Sequence, residues 1–392
     1  MDSNRAANLE GITARKKDLP DAVRELSDEI KGVSRTIYAH PELGSEEHEA
    51  SKLLVSKLRA HGFEVEDNFM EMDTALLAKI GNGEPKVAVF AEYDALPIGH
   101  GCGHNLMAAW AFGVAASLAK GGLPRGTLYV AGSPAEEGYG KYAQSKITIG
   151  PRLKELGTEA VFSMHPMGAW GVGWRTLAST RISFVFHGRD SHAALSPQDG
   201  LNALDAVVHF YVQAKMLRTL VRRDKDVILS AIIRDGGALP NVIPGRSEVW
   251  MDIRANETSY VTELEQKVLQ IAQGAAIMAG CTVEWSRLGK FLDSFKRHPE
   301  LEGLYYKHAL EYLDKVSSPD ESWSNLAVAS SDISNVSQMI PTVHLSVKIG
   351  REGLPGHSEE WKECAGAVEA EEALLTSIAI AHDSIIEYLS QR

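Results

Sequence analysis

The sequence predicts an α/β protein interrupted by a small α+β domain. Three observations carry this. Short apolar runs alternate with helix-like stretches over the first half of the chain, the rhythm of a sheet with helices on its faces. Between residues 178 and 292 the order becomes strand, helix, two strands, helix, strand, which is a split βαβ pattern. After that block, helical character returns with motifs that belong to the first half. The expected division is therefore a discontinuous domain of residues 1–177 and 293–392, with residues 178–292 inserted.

Each element has a local reason. Val23, Leu26, Ile30 and Val33 recur at helical spacing within residues 19–60. His40-Pro41-Glu42-Leu43-Gly44 interrupts that helix, and a second, residues 46–61, ends at Gly62. Strand-like runs follow at 75–80, 87–91, 127–132 and 160–164, with a helix expected over 106–119. In the inserted block, residues 181–187 alternate like a half-buried strand. A helix (200–220), two strands (227–234 and 246–254), a helix (260–279) and a strand (281–287) complete it.

Composition excludes several function classes. A length of 392 residues suits two domains. A net charge of −12 argues against a nucleic-acid partner. No apolar run is long enough to span a bilayer, and polar residues 1–17 lack a signal-peptide core. Cys102, Cys281 and Cys364 are too few for a disulfide framework and fit a reducing compartment. The expectation is a cytoplasmic enzyme with no nucleic-acid or membrane partner.

The chemistry concentrates in Glu92-Tyr93-Asp94-Ala95-Leu96-Pro97-Ile98-Gly99-His100-Gly101-Cys102-Gly103-His104-Asn105, a glycine-rich turn between a strand and a helix. Cys102 and His104 are borderline-soft donors suited to zinc and its neighbours. Taken alone, a Cys-x-His pair reads rather as a buried thiol beside surface histidines. Further pieces are Ser133-Pro134-Ala135-Glu136-Glu137-Gly138, Met164-His165-Pro166, Gly188 to Ala194 and Gly356-His357-Ser358. In an open α/β sheet, ligands gather beyond the carboxyl ends of strands. Cys102, His104, Glu137 and His165 map there, and His357 joins them if the C-terminal part folds back. Asp94 suits the carboxylate that orients a ligand histidine.

With Pro240-Asn241-Val242-Ile243-Pro244 and Ser331 to Ser337, these motifs cover most of the chain in a fixed order. The set resembles the M20 metallopeptidase family, in its amidohydrolase branch. The resemblance implies a zinc-peptidase-like α/β catalytic domain with an inserted, ferredoxin-like α+β lid and dimerisation domain. It implies two divalent metal ions, zinc or manganese, on Cys102, His104, Glu137, His165 and His357, with Cys102 bridging. It implies Glu136 as general base, and His192 and Asn241 as stabilisers of the tetrahedral oxyanion. Arg254 suits a substrate carboxylate, although an ordinary salt bridge fits it as well, and Asn335 is expected at the pocket floor. Glu92 stands where other branches of the family carry a ligand histidine, and its role stays open.

The expected reaction is hydrolysis of the amide bond of an N-acyl amino acid or a small dipeptide-like molecule by a homodimer. An amide-forming synthase using the same site, and a non-catalytic scaffold, are the alternatives. Tyr139, Trp110, Met167, Trp170 and Trp174 lie near the motifs and hint at an apolar acyl group, although such residues commonly belong to cores.

Overall fold

The computed structural model describes residues 15–324 and 329–391. Residues 1–14 of the polar lead-in lie outside them. The chain divides into two compact units. One comprises Met1–Trp174, Lys296–Asn325 and Asn335–Arg392; the other comprises Arg175–Phe295 and Leu326–Ser334.

The first unit is built on a seven-stranded sheet. Its order is Glu64–Asp67, Leu76–Asn82, Gly126–Gly132, Lys86–Ala91, Ala160–Met167, Thr342–Lys348 and Gly171–Val172. The four strands Gly126–Gly132, Lys86–Ala91, Ala160–Met167 and Thr342–Lys348 run parallel, and the outer pairings are antiparallel. Parallel strands are covered on both faces and read as continuous apolar runs. Val87, Ala88, Val89, Leu128, Val161 and Phe162 are accordingly all fully buried.

The helix His104–Gly121 explains why this unit coheres. It is apolar all round, and its residues from His104 to Leu118 are buried, as expected of a helix enclosed by other elements. The helices Ser27–Ala39 and Val368–Gln391 pack against it. A Cβ on Gly113 would stand 2.5 Å from Ile378 Cδ1 and 3.1 Å from Ile30 Cδ1, so the glycine permits the close approach. Trp110 is fully buried in this helix and belongs to the core, so it supplies no substrate surface.

The second unit is a four-stranded antiparallel sheet in the order Thr282–Arg287, Ala178–His187, Arg246–Ala255, Ile228–Asp235. Helices Ala203–Leu217 and Thr258–Met278 pack on it, with Phe184, Phe186, Phe210, Val261 and Leu264 in its own core. The strand Arg246–Ala255 alternates buried and less buried positions. Edge strand Ile228–Asp235 is mostly exposed, with Ile232 at 57%. Val208, Val212 and Met216 form an exposed apolar stripe at four-residue spacing on the neighbouring helix. No described helix is long and apolar enough to cross a membrane.

Candidate metal centre

Each of the four parallel strands of the first unit ends in, or leads to, a donor. Lys86–Ala91 runs into Asp94 and the Cys102/His104 turn; Gly126–Gly132 runs into Glu136 and Glu137. Ala160–Met167 carries His165, and Thr342–Lys348 precedes the loop bearing His357. Because the strands are parallel, all these loops leave the same edge of the sheet.

The donors converge there. One ligand atom from each of Cys102, His104 and His165 lies within 4.8 Å of the others, and so do those of Cys102, Glu137 and His357. Cys102 belongs to both triads. Its Sγ is 3.4 Å from His165 Nε2, and His357 Nε2 is 3.4 Å from Glu137 Oε1. Glu136 sits at the border, with Oε2 4.0 Å from His104 Nε2.

The ring nitrogens are arranged for ligation. His104 Nδ1 pairs with Asp94 Oδ1 at 2.8 Å and with the Asp94 carbonyl at 3.0 Å. That places the proton on Nδ1 and leaves Nε2 as a lone-pair donor. Asp94 also accepts from the Glu137 backbone N–H through Oδ2 at 2.9 Å. His165 Nδ1 donates to the Pro166 carbonyl at 2.8 Å, which turns its Nε2 towards Cys102. Trp174 lies 5.6 Å from the His165 ring and stacks 4.5 Å from that of His344.

Two buried polar atoms of this cluster, His104 Nε2 and Glu137 Oε1, have no hydrogen-bond partner among the described residues. Buried polar atoms without partners are costly, and a bound ion or water would satisfy these two. The donor set of one thiol, three imidazoles and a carboxylate, shared as two triads, fits two zinc-like cations.

The electrostatics agree. Burial, reinforced by the positive field of His104, holds His165 down at about 4, so its imidazole is neutral and able to ligate near neutral pH. Burial pushes the Cys102 thiol well up, and the Glu137 carboxylate adds to it. Burial likewise raises Glu137, with Glu136 adding to the effect against the pull of His104 and His357. Burial works to lower His104, yet the negative fields of Cys102 and Asp94 outweigh it and hold the imidazole well up. Cys102 and Glu137 resist ionisation here and are the groups a bound cation would ionise, whereas His104 is held protonated and a cation would displace its Nε2 proton.

The remaining expected residues divide. His100 is buried, with Nε2 3.0 Å from the Ile37 carbonyl, a structural bond. His192 and Asn241 lie together in the second unit. The short strands Ser191–His192 and Val242–Ile243 pair Val242 with His192, and the carbonyl of Asn241, just before the second strand, accepts from Ala193 N–H at 3.0 Å. Both side chains are on exposed residues, and His192 Nδ1 accepts from the N–H groups of Ala194 and Leu195 at 3.2 Å. Arg254, also in the second unit, donates from Nε to Asp252 at 2.7 Å, so part of its guanidinium is already engaged. Asn335 is partly buried in the short helix Ile333–Ser337.

Two residues of the site carry no motif signal. Lys146 is fully buried, with Nζ 3.1 Å from Glu92 Oε1 and 3.9 Å from Glu136 Oε1. Glu47 is fully buried and accepts from the Ala135 N–H at 2.8 Å and the Thr74 hydroxyl at 2.9 Å.

Residues 172–277 match the peptidase dimerisation domain family. The chain is 31% identical over 391 residues to the human Xaa-Arg dipeptidase, covering 94% of this chain and 86% of that one. It is 32% identical over 335 residues to one of the subunits of the p-aminobenzoyl-glutamate hydrolase of Escherichia coli K12, covering 79% and 67%. Among solved structures it resembles the Bacillus subtilis YxeP protein, described as a dinuclear metal-binding peptidase from the M20 family. That likeness has a TM-score of 0.71 at 20% identity and covers 94% of this chain and 100% of that one. The aminobenzoyl-glutamate utilization protein of Klebsiella pneumoniae gives 0.69 at 16%, covering 94% and 98%.

Proposed function

The chain belongs to the M20 family of metal-dependent amidohydrolases, and from that premise we propose that it cleaves the amide bond of a small N-acyl amino acid or dipeptide. The observation that carries the reading is the double donor triad centred on Cys102, with the Glu136 carboxylate at its border. The substrate class draws on relatives named for a dipeptide, for aminobenzoyl-glutamate and, in Campylobacter jejuni, for hippurate. All three are amides whose amine side is an amino acid.

Cys102, His104 and His165 would hold one cation, and Cys102, Glu137 and His357 a second. Bound there, two divalent cations would acidify the attacking water and polarise the scissile carbonyl. Glu136 takes the water proton and delivers it to the leaving amine, the work of a general base followed by that of a general acid. Asp94 fixes the tautomer and direction of His104. His192 and Asn241 would donate hydrogen bonds to the developing oxyanion, and Arg254 and Asn335 would hold the substrate's amino-acid portion. The second unit would serve as lid and dimerisation domain, pairing two copies through the exposed edge strand Ile228–Asp235 and the stripe Val208, Val212 and Met216. Zinc is the ion best suited to the thiol and imidazole donors, and manganese, which prefers oxygen ligands, is the alternative.

The test is Glu136→Gln assayed with N-acyl amino acids and dipeptides in the presence of added zinc or manganese. Turnover is expected to fall by roughly two to four orders of magnitude, with the metal content unchanged. Near-parental turnover would remove Glu136 from the role.

A further inference from the structure

Lys146 opens the helix Lys146–Glu155. A buried ammonium is costly, and a cation at a helix N-terminus also opposes the helix dipole. Local rules thus disfavour a lysine here twice over. What offsets both costs is the pair of carboxylates Glu92 and Glu136, which His104 closes into a ring of four side chains. Lys146 Nζ is 3.1 Å from Glu92 Oε1, and Glu92 Oε2 is 3.7 Å from His104 Nε2. His104 Nε2 is 4.0 Å from Glu136 Oε2, and Glu136 Oε1 returns to Lys146 at 3.9 Å.

The backbone ties the helix start to the Glu136 loop as well. Ser145 Oγ donates to the Pro134 carbonyl at 2.6 Å, and the Gln144 N–H donates to the Ala135 carbonyl at 2.8 Å. The lysine and the carboxylate it faces therefore sit on segments fastened together immediately before Glu136.

We propose that Lys146 is a positioning residue for the Glu136 carboxylate, with Glu92 as its anchor and counter-ion. The ammonium faces one carboxylate oxygen, so the other is presented at the border of the donor cluster. The Glu92, His104 and Glu136 side chains could hold a cation by spacing alone; Lys146 already supplies that charge, and Glu92 is not a metal ligand. The proposal rests on Glu136 acting as the base.

The test compares Lys146→Met, Glu92→Gln, the double variant and Glu136→Gln as purified metal-loaded proteins. Steady-state kinetics, metal stoichiometry and melting temperature are read for each. The double variant removes the ammonium without stranding a buried carboxylate, so it separates positioning from charge compensation. It is expected to keep parental metal content and KM while kcat falls roughly 10- to 100-fold, the range a misplaced catalytic group costs. Glu92→Gln alone, which keeps the ammonium, is expected to fall less. A parental kcat in the double variant would reduce Lys146 to a counter-charge for Glu92 and overturn the proposal. Loss of metal together with activity would overturn it too, by making Glu92 or Lys146 part of ion binding. If the variants do not fold, a crystal structure of the metal-loaded parent decides: Nζ should stay within roughly 4 Å of Glu136 Oε1, ion-pair range, and a clearly larger separation rejects the proposal. Parental turnover in Glu136→Gln would fault the base assignment instead.

Discussion

Cys102 is a member of both donor triads, whereas His165 and His357 each belong to one. The three residues should therefore differ in what their loss removes. Cys102→Ala should weaken both sites, and His165→Ala or His357→Ala should each weaken one, since losing a ligand weakens its site directly. Elemental analysis after dialysis against limiting zinc checks this; equal loss in all three variants would count against a shared thiolate. Glu47 gives a prediction of a different kind. Burial and the nearby Asp94 charge raise its carboxyl from the ordinary 4.5 to about 7. The folded protein thus holds this proton more tightly than the unfolded chain. The contribution is complete below about pH 4.5 and is lost as the pH rises through 7. Glu47→Gln should remove a pH-dependent term of roughly 3 kcal/mol from that window. Urea unfolding at pH 5 and pH 8 measures it, and parallel pH trends in parent and variant would reject it. The motif residues of the centre were legible because short contiguous strings carry them. Lys146 and Glu47 were not: a lone lysine or glutamate has no local signature, and burial among opposite charges is a tertiary property.

Gly103 shows how an element can aim two candidate ligands. It caps the helix His104–Gly121 at φ +88°, and a Cβ there would lie 2.8 Å from Pro166 Cγ. Only glycine meets both demands without strain. Gly103→Ala should cost about 1–3 kcal/mol and displace Cys102 and His104 together, lowering metal affinity as well as the melting temperature. A variant that melts lower yet retains full metal affinity would show the turn to be unimportant for aiming. The strand–turn–helix around this glycine was readable because apolar runs flank a glycine-rich stretch. The strand Thr342–Lys348 was not anticipated, although it lies inside the sheet. Its sequence does alternate, with Val343, Leu345 and Val347 set between polar residues, a strand signal open to pattern reading; what the alternation does not foretell is that Thr342 and His344 are buried as well. Glu64–Asp67 was missed for a different reason. It is an exposed edge strand made largely of acids, a composition that protects an edge and hides it from pattern reading.

For the whole molecule, the exposed stripe on helix Ala203–Leu217 and the open edge strand predict self-association. Sedimentation of the parent should give a dimer, and Val212→Glu with Ile232→Lys should shift it to monomer without unfolding the chain. Persistence of the dimer would place the interface elsewhere. Mixing Glu136→Gln with His192→Ala protein then asks where His192 acts. A heterodimer should regain one working site if His192 serves the partner's centre, and none if it serves its own.

The strand Thr342–Lys348 lies between Ala160–Met167 and Gly171–Val172, and it leads to His357. The second donor triad is therefore completed by the donor that leaves the ribosome after the other four. A nascent chain that has emerged only as far as residue 340 has the Cys102, His104 and His165 donors but not His357. Metal thus cannot template the early stages of folding at the complete centre. Maturation must follow closure of the sheet by pairings distant in sequence, which are slow to form. Chains stalled or clipped before that strand would be incompletely metallated as well as inactive, and the ion content of a preparation would report how many of its molecules had finished folding.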